Sequence, residues 1–306
     1  MPPGPVAAID VGTNTVLMVV GRRRPDGAVE VLEDAHAIAR LGENVDARRR
    51  IGEPALERLC GILLGHRQRA LELGAGRVAA FGTSALRDAA NGAEVVARVQ
   101  ERTGIALATL SGAQEARLTF AGAAFGLRLP ARYAVLDVGG GSTELAVGTA
   151  DGPEVSGSVD VGAVRLTERC FPSLPPAASQ LQEATAVARR SLAGLPACPA
   201  GVPLVGVAGT VTTLGAMDLD VERFDAEALN GHFLPRARVE VLSDQLLGLG
   251  HAQIAAIPQV SPQRADIISA GSLILRLALQ AWGCPGVVVS TRGIRYGLLL
   301  RELGCL

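Results

Sequence analysis

A short motif occurs twice in this chain, and its two copies are separated by a constant offset of 127 residues. The first copy is Asp10-Val-Gly-Thr-Asn-Thr15, and the second is Asp137-Val-Gly-Gly-Gly-Ser142. Each copy lies between two short apolar runs, a pattern that predicts a strand, a tight turn and a returning strand. Because the offset is the size of a domain, the repeat predicts two similar domains and not a solenoid of short units.

Strand and helix patterns alternate around the two copies. Apolar residues recur at helical spacing over residues 53–73 and 113–125, whereas residues 78–81 and 202–207 are short apolar runs typical of buried strands. This alternation predicts an α/β fold, and a length of 306 residues accommodates two such domains.

The domain boundary is predicted at a short linker over residues 126–132, which interrupts the periodic patterns. We therefore place the first domain over residues 1–128 and the second over residues 129–292. The last segment, residues 293–306, is rich in apolar residues and predicts a helix too short to be stable alone.

The basic residues limit the chemistry that the chain can perform. All 29 are arginine, because the sequence contains no lysine. A Walker-type phosphate loop and a Schiff-base enzyme both need a lysine, so both classes are excluded. A phosphate ligand would instead be bound by backbone N–H groups, hydroxyls, arginine and a metal ion. The 30 acidic residues balance this charge, which argues against a nucleic-acid or membrane-surface partner.

The five cysteines are odd in number and scattered, and neither they nor the four histidines have the spacing of a zinc site. Reduced thiols and a cytoplasmic location are expected. The proline-rich start does not resemble a signal peptide, and no apolar run predicts a membrane span.

The two Gly- and hydroxyl-rich turns are candidate phosphate-binding loops. Successive backbone N–H groups in such a turn can converge on one anion, and Thr15 or Ser142 can add a hydroxyl donor. A single turn of this kind could equally be a tight hairpin. Two turns at matched positions, each preceded by an aspartate, favour the phosphate-binding interpretation.

Three carboxylates next to these turns are candidate metal ligands. Asp10 and Asp137 end the strands before the two loops, and Glu144 lies on the return strand of the second. Because a carboxylate beside a phosphate is repelled unless a cation lies between them, Mg²⁺ is expected here. The alternative is that each aspartate only accepts hydrogen bonds from its own turn.

Glu115 and Arg87 are candidates for the reaction itself. Glu115 lies at a predicted helix start, where it could activate a water, or where the helix dipole alone could account for an acid. Arg87 follows a strand and could bind phosphate, or it could pair with Asp88 or Glu94 at the surface.

The sequence resembles the exopolyphosphatase/guanosine pentaphosphate phosphohydrolase family over almost its whole length. The matching segments are Asp10-Val-Gly-Thr-Asn-Thr15, Gly82-Thr-Ser-Ala-Leu-Arg87, Ser111-Gly-Ala-Gln-Glu-Ala-Arg-Leu118, Asp137-Val-Gly-Gly-Gly-Ser-Thr-Glu144, Ala208-Gly-Thr210 and Arg264-Ala-Asp-Ile-Ile-Ser-Ala-Gly271. The resemblance implies an α/β fold of two ribonuclease-H-like domains, the actin-like (ASKHA) architecture, flanking a central cleft. In that fold the last helix returns to the first domain.

The resemblance also implies a role for each candidate residue. It makes Glu115 the catalytic base and places Mg²⁺ on Asp137 and Glu144, with Asp10 as the corresponding acid of the other loop. The substrate-binding residues that it implies are Asn14, Thr15, Arg87, Gly139, Gly140, Gly141 and Ser142. Many members have two adjacent glutamates where this chain has Gln114-Glu115, and only the first is lost.

The expected function is Mg²⁺-dependent removal of terminal phosphate from inorganic polyphosphate, releasing orthophosphate. The nearest alternative is the same hydrolysis on guanosine pentaphosphate, because both substrates end in a phosphoanhydride. A kinase-like phosphotransferase and a non-catalytic alarmone or polyphosphate sensor are further alternatives, and the presence of Glu115 counts against the sensor. The resemblance allows a monovalent cation beside Mg²⁺ and a homodimeric assembly.

Overall fold

The computed structural model describes residues 4–221 and 224–306, which form two compact units. The first unit ends at Gly122 and resumes with Ile294–Leu306, and the second unit is Ala123–Gly293. The division falls in the last turn of a helix, just before the linker where the sequence places the boundary between two domains. That division into independent domains stays a prediction.

The first unit contains a five-stranded sheet with helices. Its strands are β1 (Val6–Val11), β2 (Thr15–Arg23), β3 (Val29–Ile38), β4 (Arg77–Gly82) and β5 (Leu107–Thr109). Its helices are α1 (Val45–Arg48), α2 (Glu53–Glu72), α3 (Ser84–Asp88), α4 (Gly92–Thr103), α5 (Gly112–Ala124) and α13 (Ile294–Glu302).

Strand β1 is at the centre of this sheet, whose order is β3-β2-β1-β4-β5. It pairs antiparallel with β2 and parallel with β4, and all of its residues are buried. A strand covered on both faces needs a continuous apolar run, which is what Val6–Val11 supplies apart from Asp10. Strand β3 lies at the edge of the sheet and contains no buried residue, so it needs no continuous apolar run. For this reason the strand is not evident from the sequence.

The last helix, α13, packs on β1 and β2 within the first unit. Its first turn is fixed by Asp34 of β3, which accepts hydrogen bonds from Arg295 Nε at 2.8 Å and from the Tyr296 hydroxyl at 2.7 Å. Leu298 and Leu299 of the same helix are fully buried. The nine residues of α13 are thus ordered by tertiary packing, as expected for a helix too short to form alone.

His66 of α2 makes the stability of the first unit dependent on pH. Burial lowers the pKa of His66 from its usual 6.5, and this outweighs the hydrogen bond to the Val16 backbone, which raises it. Its Nε2 is buried without a hydrogen-bond partner among the described residues. The folded chain therefore prefers the neutral imidazole, whereas the unfolded chain takes up a proton near pH 6.5.

We expect the free energy of unfolding to decrease as the pH falls below about 6.5, by at most about 1.4 kcal/mol per pH unit for this one group. Urea unfolding of the wild type and of His66→Phe between pH 5 and pH 8 checks this. The difference between the two proteins should grow towards acid in favour of the variant. A difference that is constant over this range would contradict the assignment.

The second unit contains a six-stranded sheet. Its strands are β6 (Arg132–Val138), β7 (Thr143–Thr149), β8 (Gly152–Val159), β9 (Leu204–Val207), β10 (Phe233–Pro235) and β11 (Gly286–Val289). Its helices are α6 (Ala163–Cys170), α7 (Ala178–Leu192), α8 (Ala208–Leu219), α9 (Ala226–Leu229), α10 (Arg236–Gly248), α11 (His251–Ala255) and α12 (Ile268–Ala281), with a 3₁₀ turn at Pro262–Arg264.

The two sheets have the same core topology. Read from β8, the second sheet runs β8-β7-β6-β9-β11, with β10 added at the far edge. In both sheets the first three strands are antiparallel and the next two are parallel. The motif repeat therefore corresponds to a repeated α/β fold, in which each copy of the motif connects the central strand to its antiparallel neighbour.

The core of the second unit is built around α12, in which eleven residues, Ile268–Leu275 and Leu277–Leu279, are buried. In the described part of the chain, no helix combines the length and apolar composition needed to cross a membrane.

Candidate functional site

The two motif loops make the same turn. The Gly12 N–H donates to the Thr15 carbonyl at 3.0 Å, and the Gly139 N–H donates to the Ser142 carbonyl at 3.0 Å. The strand pairing around them also corresponds, because Asp10 lies opposite Leu17 and Asp137 lies opposite Glu144. The 127-residue offset of the sequence is thus reproduced residue by residue in the hairpin register.

Helix α6 fixes the orientation of the second loop, residues 139–142. The Ala163 N–H donates to the Gly139 carbonyl at 2.9 Å, and the Val164 N–H donates to the Gly140 carbonyl at 2.8 Å. In a planar trans peptide the N–H points opposite to the carbonyl. The N–H groups of Gly140 and Gly141 consequently point away from α6, side by side, as in an anion-binding nest.

The first loop, residues 12–15, is oriented in an analogous way by a different segment. The N–H groups of Ala39 and Arg40 donate to the Asn14 carbonyl at 3.1 and 3.0 Å, and the Gly42 N–H donates to the Thr13 carbonyl at 2.8 Å. The same planarity argument directs the N–H groups of Asn14 and Thr15 away from residues 39–42.

A hydroxyl pair connects this loop to the next sequence motif. The Thr13 and Ser84 hydroxyls are 2.7 Å apart and are both buried. Ser84 begins helix α3, which carries Arg87, so the loop and the arginine are held in one hydrogen-bonded framework.

Asp137 and Glu144 form a pair of facing carboxylates in the second unit. They are directly opposite each other in the β6–β7 ladder, so their side chains lie on the same face of the sheet. Glu144 is only 4% exposed, and its Oε1 accepts a hydrogen bond from the Ser158 hydroxyl at 2.6 Å. A buried carboxylate of this kind needs a cation or further donors nearby.

The donor set of this pair fits Mg²⁺, which binds to one or two protein carboxylates and completes its shell with phosphate oxygens and water. Over residues 4–221 and 224–306, no group of three or more His, Cys, Asp or Glu side chains forms a metal site made of protein ligands alone. In the first unit the residue equivalent to Glu144 is Leu17, so that loop lacks the second carboxylate. Asp10, which precedes this loop, is buried, and its metal-binding role stays a prediction.

Glu115 and Arg87 are brought together in the first unit as a buried ion pair. Arg87 Nη1 donates to Glu115 Oε2 at 2.6 Å and to the Leu110 carbonyl at 3.0 Å. The Glu115 side chain is 10% exposed and the Arg87 side chain 25% exposed. The alternative partner Glu94 is instead paired with Arg50. The sequence presents both residues as candidates but does not indicate that they are bonded to each other.

Burial dominates the electrostatics of this pair. Desolvation raises the pKa of Glu115, while the charge of Arg87 and its hydrogen bond lower it in part. The result is a carboxylate of more than ordinary basicity whose ionised form depends on one arginine. This combination is typical of a residue that accepts a proton in a reaction.

Gln114 closes a capping box at the start of α5. Its Oε1 accepts from the Ser111 N–H at 2.9 Å, and its own N–H donates to the Ser111 hydroxyl at 3.3 Å. Glutamine and glutamate serve equally at this position of a capping box. The replacement of the first glutamate by Gln114 therefore keeps the helix start that positions Glu115.

Arg264 is a further candidate that the sequence argument quotes in a motif without assigning a role. Its guanidinium lies directly on Gly209 in the first turn of α8, where any side chain larger than glycine would overlap it. Burial lowers the pKa of Arg264, and among the described residues its side chain has neither a hydrogen bond nor an ion pair. A helix N-terminus and a half-buried cation without an acidic partner in the described part of the chain, at one place, favour an anionic ligand.

Comparisons with known proteins agree with this description. The chain is 35% identical to a protein named exopolyphosphatase 2 from Mycobacterium tuberculosis, with 98% of each chain covered. It is 30% identical to exopolyphosphatase 1 from Mycobacterium bovis, with 97% of this chain and 88% of the relative covered. The crystal structure of the Aquifex aeolicus Ppx/GppA family member superposes with a TM-score of 0.83 at 28% identity, over 98% of this chain and 97% of that one.

The similarity to this crystal structure confirms the predicted α/β fold class, with its two ribonuclease-H-like sheets. The prediction of an enzyme that hydrolyses phosphoanhydride bonds is also confirmed, since the family model described as the Ppx/GppA phosphatase family matches residues 19–305. The chain belongs to the Ppx/GppA phosphatase family.

Proposed function

We propose that this protein is an exopolyphosphatase that removes the terminal phosphate of inorganic polyphosphate and depends on Mg²⁺. The observation that carries the proposal is the repeated loop. In each copy a neighbouring segment, the start of α6 or residues 39–42, donates hydrogen bonds to the loop carbonyls. The adjacent N–H groups of the loop therefore point to the opposite side. Such loops suit a substrate with a regular series of anionic groups. The names of the relatives, exopolyphosphatase 1 and 2, support the same substrate class.

In this proposal the phosphate oxygens are bound by backbone and arginine donors. In the second unit the candidate phosphate donors are the N–H groups of Gly140 and Gly141 and the Ser142 hydroxyl. In the first unit the candidate donors are Asn14 and Thr15. Arg264 adds a cation at the start of α8, which offsets charge in a chain without lysine.

Arg87 serves two groups at once. Its contacts with the Leu110 carbonyl and with Glu115 both use Nη1, and its other guanidinium donors have no hydrogen bond among the described residues. A planar guanidinium has five donors in a fixed geometry, so the remaining ones can bind a phosphate oxygen while Nη1 holds Glu115. Arg87 would thereby position the base relative to the phosphorus.

Glu115 accepts a proton from the attacking water. Its basicity is raised by burial, while the charge of Arg87 and its hydrogen bond favour the ionised form. The water oxygen attacks the terminal phosphorus in line, and the remaining polyphosphate leaves as the P–O bond to it breaks. Positioning and electrostatic stabilisation supply most of the rate acceleration for this type of reaction.

Asp137 and Glu144 would hold Mg²⁺, with Ser158 orienting Glu144 through its hydroxyl. When bound, the ion neutralises negative charge on the phosphates. A monovalent cation beside it and a homodimeric assembly stay predictions. We also propose a cytoplasmic location, because all five cysteines are free thiols.

The substrate preference is tested by measuring orthophosphate release from polyphosphate and from guanosine pentaphosphate side by side, with and without Mg²⁺. We expect a higher kcat/KM for polyphosphate and no release from either substrate when a chelator removes the metal. A preference for guanosine pentaphosphate would replace the proposed substrate and leave the chemistry unchanged. No release from either substrate by folded protein would contradict the proposed function.

A further inference from the structure

Arg165 is a buried charged residue that the proposed reaction does not use. It lies in the first turn of α6, is 7% exposed, and donates from Nε to the Gly141 carbonyl at 2.7 Å. Its backbone N–H also donates to the Gly140 carbonyl, at 3.1 Å. A buried guanidinium needs hydrogen-bond acceptors, and the Gly141 carbonyl of the loop is one that it binds.

The N–H groups of the loop, residues 139–142, point to one side only if its three successive carbonyls, those of Gly139, Gly140 and Gly141, are fixed by hydrogen bonds on the other side. The backbone N–H groups at the start of α6 hold those of Gly139 and Gly140. The third, of Gly141, is held by the side chain of Arg165. Because the peptide is planar, fixing the Gly141 carbonyl fixes the N–H of Ser142 in the opposite direction.

We propose that Arg165 is a positioning residue for the phosphate loop, and that it orients the Ser142 N–H as the third donor of an anion-binding nest. The inference rests on the proposed function in taking phosphate as the ligand. Arg165 acts through the backbone of the loop and does not itself contact the substrate.

A second feature of α6 supports this assignment independently. A Cβ built on Gly162, the residue before α6, would lie 2.5 Å from both the carbonyl carbon and the oxygen of Gly140. Only glycine allows this approach between the start of the helix and the loop. The close approach brings the first turn of α6, and with it Arg165, within reach of the loop carbonyls.

The test compares Arg165→Met, Arg165→Lys and the control Arg190→Met, which removes an exposed arginine of α7 in the same unit. Calorimetry measures the dissociation constant of orthophosphate with Mg²⁺ present, which requires no catalysis. We expect Arg165→Met to weaken phosphate binding and raise the KM for polyphosphate on the order of ten-fold, the effect of one lost charge-assisted hydrogen bond. Arg165→Lys should restore part of both, and Arg190→Met should change neither.

The pH profile of kcat should keep its shape in Arg165→Met, because Glu115 lies in the other unit and is untouched. A crystal structure of the same variant should show the peptide between Gly141 and Ser142 rotated, a result that does not depend on any activity. An unchanged loop, or wild-type phosphate affinity and KM accompanied only by a lower melting temperature, would overturn the assignment. If the wild type binds no phosphate but the loop rotates in the variant, the proposed ligand is wrong while the positioning role stands.

Discussion

Replacing Glu115 by glutamine is expected to lower kcat by a factor on the order of 10²–10⁴, the usual contribution of a positioned general base. Glutamine keeps the shape and one hydrogen-bond acceptor for Arg87 but cannot take a proton from water. Substrate binding should persist, because the candidate phosphate-binding loops are untouched. The measurement is steady-state orthophosphate release from polyphosphate, with KM and kcat determined separately.

The matched control for this variant is Glu101→Gln, an identical change at an exposed position of α4 in the same unit. It should leave kcat and KM at the wild-type values. A Glu115→Gln protein that keeps more than about a tenth of the wild-type kcat would mean that another group activates the water.

Replacing Arg87 by methionine is expected to have an effect that depends strongly on pH. Without the guanidinium, burial acts on Glu115 alone, and the pKa of this carboxyl rises further above its usual 4.5. A base with a raised pKa is ionised only at higher pH, so the acidic limb of the kcat/KM profile should move towards alkaline pH. At neutral pH we expect kcat/KM to fall on the order of 10² or more, because a phosphate contact is lost as well.

The pH profile separates this account from simple loss of a phosphate contact. If Arg87 only bound phosphate, kcat/KM would fall by the same factor at every pH. The control is Arg50→Met, which breaks the ion pair between Arg50 and Glu94. This pair is at the surface, because the Arg50 side chain is 62% exposed and the Glu94 side chain 55% exposed. An exposed pair of this type contributes little, so this variant should behave as the wild type. A parallel profile for Arg87→Met would contradict the coupling to Glu115.

The hairpin loops could be predicted from the sequence because their determinants are local. Each motif, from its aspartate (Asp10 or Asp137) through the glycine to the closing hydroxyl residue, spans only six positions of the chain. Each loop forms where this pattern places it. Glu115 at the first turn of α5 is predictable for the same reason.

The long-range pairings could not be predicted in this way. Arg87 and Glu115 are 28 positions apart on different helices, and only the order of the sheet brings them together. The contact of Arg264 with Gly209 and that of Arg165 with Gly141 likewise depend on helix packing.

The central claim is that Glu115 handles the water while Asp137 and Glu144 hold the metal ion. A Mg²⁺ titration of orthophosphate release by the wild type, Glu115→Gln and Asp137→Asn tests it most directly. We expect Asp137→Asn to require more Mg²⁺ and to regain part of its rate in excess Mg²⁺, since a weakened ligand set can be compensated by mass action. Glu115→Gln should show the wild-type Mg²⁺ requirement at a reduced maximal rate. Rescue of Glu115→Gln by Mg²⁺, with no rescue of Asp137→Asn, would show that the two roles are reversed.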